Sequence, residues 1–179
     1  MNGPAQGSLV LGFQPSSHGF GWIAFSTPFA IHDWGIPDVP RGTKNESSLR
    51  KLEGLLDRLE PYLLVLEAFE QRSTRIARLC QSVVALARSR GIDVAVYTKG
   101  QIEECFRSVG AKTRHEVASA IARSFDMLRA DLPAKRKAWD RPHRKMPLFE
   151  AAAVVLTHFQ LGTSTLFDDL LNQTGNGAD

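Results

Sequence analysis

The feature that most constrains this chain is a short one. Residues 62–66, Tyr-Leu-Leu-Val-Leu, run apolar without a break between Pro61 and Glu67. A strand with one wet face alternates apolar and polar residues, so an unbroken run reads as a strand buried on both faces. Such a strand needs helices on each side of its sheet. The segment from Ile92 to Tyr97 is expected to be a second central strand. Between them lies a helix from about Thr74 to Arg90, with Ile76, Leu79, Cys80, Val83, Val84 and Leu86 inside and Gly91 as its stop. Before the first run, Leu49, Leu52, Leu55, Leu56 and Leu59 mark one face of a helix over 46–60 that Pro61 ends. Thr43 and Glu46 have the spacing of a capping box for it.

Upstream, Ser8 to Phe13, Phe20 to Phe25 and Phe29 to Trp34 read as three strands. Gln14-Pro15-Ser16-Ser17 and Thr27-Pro28 supply the turns, and links this short make an antiparallel meander. Downstream come a short helix around Gln101 to Phe106 and a second capping box at Thr113 and Glu116. The helix that this box opens buries Val117, Ala120, Ile121, Ser124, Phe125 and Leu128. A basic loop follows, and a closing helix over Leu148 to Phe159 is dense in Ala and Val. The order β-β-β-α-β-α-β-α-α describes an α/β fold, a mixed sheet with helices on both faces. A length of 179 residues suits one domain. That domain is placed at 8–160, with a flexible N-terminus over 1–7 and a mobile tail over 161–179.

Several function classes fall away. Hydrophobic residues at 43% and charged residues at 23% exclude wholesale disorder. No apolar run has transmembrane length, and Met1 to Gly7 lacks the basic start and apolar stretch of a signal peptide. A cytoplasmic protein with no membrane partner is the expectation. Cys80 and Cys105 read as buried free thiols. There is no phosphate loop of Walker type and no Cys-x-x-Cys pair. His18, His32 and His115 lack ligand spacing, and Ser16 and Ser17 have no evident His–acid partner.

Charge is uneven. Residues 107–145 hold eleven Lys/Arg against four Asp/Glu, whereas the rest of the chain holds eleven against fifteen. Such asymmetry points to a basic surface facing a polyanion. The densest part is Lys135-Arg136-Lys137, followed by Arg141, His143, Arg144 and Lys145. Trp139 lies inside it, where a flat ring can stack on a base or sugar. The plainer alternative is a solvated loop with one Trp tucked onto the core.

Some residues carry a resemblance. Leu11-Gly12-Phe13-Gln14-Pro15-Ser16-Ser17 resembles the opening strand of the RuvC-type Holliday-junction resolvases, where Gly-Ile-Asp-Pro-Gly-Ser is typical. Gly19-Phe20-Gly21-Trp22 continues it, Pro61 through Glu67 resembles the strand that delivers the family's second acid, and Arg90-Gly91-Ile92 through Tyr97 resembles the next strand. Glu150-Ala151-Ala152-Ala153-Val154-Val155-Leu156-Thr157-His158 resembles the last helix. The order and spacing of these pieces over residues 8–160 imply a ribonuclease-H-like fold.

The resemblance also implies a chemistry. Four acids hold two Mg²⁺ or Mn²⁺ ions, one activating water and one stabilising the leaving oxygen. In this chain the set is incomplete. Glu67 and Glu150 match two acids and are the candidate catalytic and metal-binding residues, whereas Gln14 and Pro147 stand at degenerate positions. Asp33, Glu70 or His143 would help if any of them pointed inward. Glu150 also reads simply as a first-turn acid at a helix N-terminus. Candidate nucleic-acid contacts are Phe69, near the family's junction-entering aromatic, and Lys112 or Arg114, near a family lysine. Lys135, Arg136, Lys137, Arg141, Arg144 and Lys145 join them from the basic segment. Ile102-Glu103 reverses another basic position of the family.

The resemblance therefore implies DNA, four-way junctions included, as the partner, and a two-fold homodimer. The helix over 46–60 or that over 148–159 would supply the interface, unless each packs on its own sheet. Three functions follow. One is a resolvase-like protein that binds branched or duplex nucleic acid with cleavage weakened or lost, with Mg²⁺ or Mn²⁺ if active and otherwise with no metal cofactor. The second is an active, divergent metal-dependent junction endonuclease. The third is an interaction module that keeps only the fold.

Overall fold

A computed structural model describes residues 8–137 and 139–174, with side chains described up to 162. Five strands form one mixed sheet: β1 (Val10–Pro15), β2 (Phe20–Thr27), β3 (Ala30–Gly35), β4 (Leu63–Glu67) and β5 (Asp93–Tyr97). Their order across the sheet is β3-β2-β1-β4-β5. The meander pairs antiparallel, whereas β4 runs parallel to both β1 and β5. The helices α1 (Lys44–Leu59) and α2 (Thr74–Ser89) make the crossovers. Beyond β5 come α3 (Lys99–Arg107), α4 (Arg114–Ser124) and α5 (Met146–Thr174). With α3 counted on its own, three helices close the chain.

The unbroken run in β4 is explained by two cores. Leu64 and Leu66 join Leu11, Phe13, Leu52, Leu55, Leu56, Leu59, Leu79 and Val83 on the α1–α2 face. Leu63 and Val65 join Val10, Ile121 and the Ala151–Val155 stretch of α5 on the opposite face. The ribonuclease-H-like arrangement expected from the sequence is the one observed. The leucine face of α1 and the apolar stretch of α5 are thus both covered within this chain. Residues 151–155 of α5 are all buried because the sheet lies on one side and α4 on the other.

Some local expectations change. Strand β5 is an edge strand, and Val96 is 44% exposed, because α3 to α5 return over the sheet without adding a strand beyond it. Tyr62 lies just outside β4 and is also exposed. The Thr43 box does not form: a 3₁₀ turn over Arg41–Thr43 runs straight into α1, and the Thr43 hydroxyl meets Ser47 instead. The Thr113 box does form, as does one at Thr98 and Gln101. Ser124 is exposed, and Ala118 and Ala122 fill the α4 face in its stead. Cys80 is buried, which pushes its thiol up to about 11, but Cys105 is only half-buried and its Sγ donates to Gln160 Oε1 at 2.8 Å. Helix α5 continues past Phe159 to Thr174, since no proline interrupts it and a lone Gly162 costs only about 1 kcal/mol. Residues 1–7 and 175–179 lie outside the described residues.

Two glycines let α5 seat closely on the sheet. A Cβ on Gly12 would lie 2.5 Å from the Ala151 carbonyl oxygen and 2.7 Å from Val155 Cγ2. One on Gly21 would lie 2.4 Å from the Pro147 carbonyl carbon. Pro147 is buried there in the first turn of the helix, where its missing N–H costs nothing.

Candidate functional site

The carboxyl ends of β1 and β4 bring the candidate residues together. The two strands are parallel, with Phe13 opposite Leu66. One step further along that register stand Gln14 and Glu67. By strand alternation both share the face of Val10, Gly12, Leu63 and Val65, which is the α5 face. Across β2, Gln14 pairs with Gly21, the residue on which the start of α5 rests. Glu150 belongs to the same end of α5, next to the Ala151 that seats on Gly12.

Each group has a distinct environment. Gln14 is 1% exposed, and neither amide atom has a hydrogen-bond partner among the described residues. Leaving such a group unmatched costs about 1–3 kcal/mol. The Glu150 side chain is 15% exposed, and its carboxylate accepts the guanidinium of Arg114 as an ion pair. Arg114 opens α4, directly after the Thr113 cap, so the capping box fixes where its side chain starts. Burial lowers the pKa of Arg114; Glu67 opposes that shift, while Arg72 and Arg136 add to it. Glu67, Arg72 and Arg136 therefore lie within electrostatic reach of Arg114, and arginine stays charged throughout the ordinary pH range.

The residues do not fit a two-metal centre. One expected carboxylate is a neutral amide, a second position is a proline, and a third acid already holds a guanidinium. The proposed helpers have partners of their own or are exposed. Asp33, on β3, pairs with Arg58 at 2.7 Å and accepts from the Trp34 backbone N–H at 2.9 Å. Glu70 and His143 are exposed, and His143 Nδ1 accepts from the Lys145 N–H at 3.2 Å. Among the described residues, no group of three or more His, Cys, Asp or Glu is placed to hold a metal ion. His158 packs beside Tyr97, with the Tyr97 hydroxyl 2.8 Å from its Nδ1.

The basic segment divides in two. Lys135, Arg136, Lys137 and Arg141 are exposed. Arg136 donates to the Asp140 carbonyl and the Lys137 N–H to the Asp140 carboxylate, a local turn that leaves both side-chain charges uncompensated. Trp139 is 79% exposed, with Lys137 Nζ 5.5 Å from its ring centroid, so its indole is not tucked onto the core. Arg144 and Lys145, by contrast, are taken up by Asp38 and Asp131. Asp131 also accepts from Trp34 Nε1 at 3.2 Å, so these pairs tie the approach to α5 onto β3 and the loop that follows it. Lys112 is exposed, its backbone N–H bound to Glu116. Phe69 is half-buried against the α1–α2 core, which leaves only part of its ring free for a ligand. Glu103 pairs with Lys99 on the surface of α3. Arg72 was not legible as a site residue, because it lies in the irregular link between β4 and α2, where no periodicity marks it.

Comparison with known proteins agrees with this architecture. No protein-family model and no curated protein matches the chain. Among solved structures, RuvC from Thermus thermophilus in complex with a Holliday junction substrate matches with a TM-score of 0.62 at 18% identity, over 88% of this chain and 96% of that one. A second structure of Thermus thermophilus RuvC matches at 0.59, with the same identity, over 88% and 97%. No helix among the described residues is long and apolar enough to cross a membrane. From β1 to α5 the chain has the ribonuclease-H-like fold of RuvC over nearly its full length.

Proposed function

We propose that this protein binds branched or duplex DNA through a RuvC-like fold, with metal-dependent cleavage weakened or lost. The observation that carries the reading is the Arg114–Glu150 ion pair at the carboxyl end of the sheet. An acid held by an internal cation is poorly available to a metal, and the neutral Gln14 and the proline at 147 remove two further ligands. Lys135, Arg136, Lys137 and Arg141 remain exposed as a cationic surface, with the open ring of Trp139. Phosphate contacts of this kind supply affinity and register, and stacking adds tolerance of sequence.

The test uses a labelled four-way DNA junction and a matched linear duplex, with Mg²⁺ or Mn²⁺, beside a Glu67→Gln variant. Binding and strand cleavage are scored from the same samples at two salt concentrations. We expect binding that weakens steeply as salt rises and no cleavage by either protein. Cleavage that disappears in Glu67→Gln would establish the active-endonuclease reading instead. Absence of binding to both DNAs would leave the interaction module.

A further inference from the structure

We propose that the guanidinium of Arg114 stands in for a divalent cation at this centre and receives a phosphate of the nucleic-acid backbone without a metal. The second half of this inference rests on the DNA-binding reading above.

The geometry of the ion pair supports it. The Glu150 carboxylate is the inner partner, at 15% exposure, and Arg114 is the outer one, at 60%. The pair engages Nη2, which leaves the other N–H groups of the fork outside this contact. A guanidinium carries five N–H donors in a plane that matches two phosphate oxygens. Glu150 thus holds a phosphate-binding group in position from behind, much as carboxylates hold a metal ion in front of a substrate.

The ion pair itself disfavours a metal. Arg114 meets the charge of Glu150, whereas an acidic cluster built for Mg²⁺ has a large negative excess. A divalent cation would have to displace Arg114 from Glu150. A phosphate meets no such obstacle. Gln14 adds no charge of its own to the floor of the site.

Two measurements test this. The first is Mn²⁺ binding to the protein alone, followed by electron paramagnetic resonance, for the wild type, Arg114→Met and Glu150→Gln. The wild type is expected to show no saturable site at millimolar Mn²⁺. A saturable wild-type site that disappears in Glu150→Gln overturns the proposal. The second is junction binding over a salt series, in EDTA and in Mg²⁺. Wild-type affinity is expected to be equal in the two. Arg114→Met should bind about tenfold more weakly, with a salt slope smaller by about one, and Arg114→Lys should recover the slope. Equal affinity and slope in wild type and Arg114→Met overturn the inference while leaving the DNA-binding reading intact. A wild type that binds no DNA overturns that reading and the phosphate half with it, and Mn²⁺ binding still decides the rest. Should Arg114→Met fail to fold, the wild-type and Glu150→Gln titrations decide the question.

Discussion

The two faces of the sheet differ in a way that locates the site. On the α1–α2 face, β1 and β4 present Leu11, Phe13, Leu64 and Leu66 to an ordinary leucine core. On the α5 face the same strands present Gly12, Gln14 and Glu67 among their apolar residues. Alternate positions of one strand thus serve two different purposes. The first face asks only for volume and apolarity. The second holds two backbone approaches that only glycine permits, a buried amide without a partner among the described residues and a carboxylate at the end of a buried strand. Departures from ordinary packing that gather on one face, at one end of the sheet, mark a site or the remnant of one.

The sharpest contrast comes from one substitution on each face. Leu52→Ala opens a cavity in the α1–α2 core and should cost about 2–5 kcal/mol in urea unfolding. Its DNA affinity per folded molecule should match the wild type, because α1 carries none of the site. Gly12→Ala should cost less, about 1–3 kcal/mol, yet weaken DNA binding as well. Its Cβ would meet the Ala151 backbone, which cannot rotate away, so α5 and Glu150 must shift. If Gly12→Ala binds DNA like the wild type, the seating of α5 does not govern the site. The smallest effect has the opposite sign. Gln14→Leu removes a buried amide that has no protein partner and should stabilise the fold by about 1 kcal/mol without changing DNA binding. A destabilised Gln14→Leu would mean that the amide is satisfied in solution, and the contrast between the faces would be weaker than drawn here.

How far the sequence could be read follows from the range of each signal. The β4 run, the leucine spacing of α1 and the Thr113 box are patterns within a few residues, and the structure carries all three. The box at Thr43 shares the same spacing and does not form, because a 3₁₀ turn occupies its approach. The edge position of β5 escaped the sequence because a short apolar strand looks alike at the centre and at an edge until its neighbours are known. Arg144 and Lys145 read as part of one basic surface, but their charges are met by Asp38 and Asp131 from other segments.

The donor inventory was determined by the sequence alone: two carboxylates, one amide and one proline at the positions that the resemblance marks. The layered α/β plan followed from periodicities that the backbone imposes locally. Only the tertiary structure decided what those donors meet. Arg114 and Glu150 are far apart in the chain and are brought together by α4 packing on α5, itself drawn onto the sheet over Gly12 and Gly21. Coulombic pairing depends on distance in space, for which sequence spacing beyond a turn or two gives no measure.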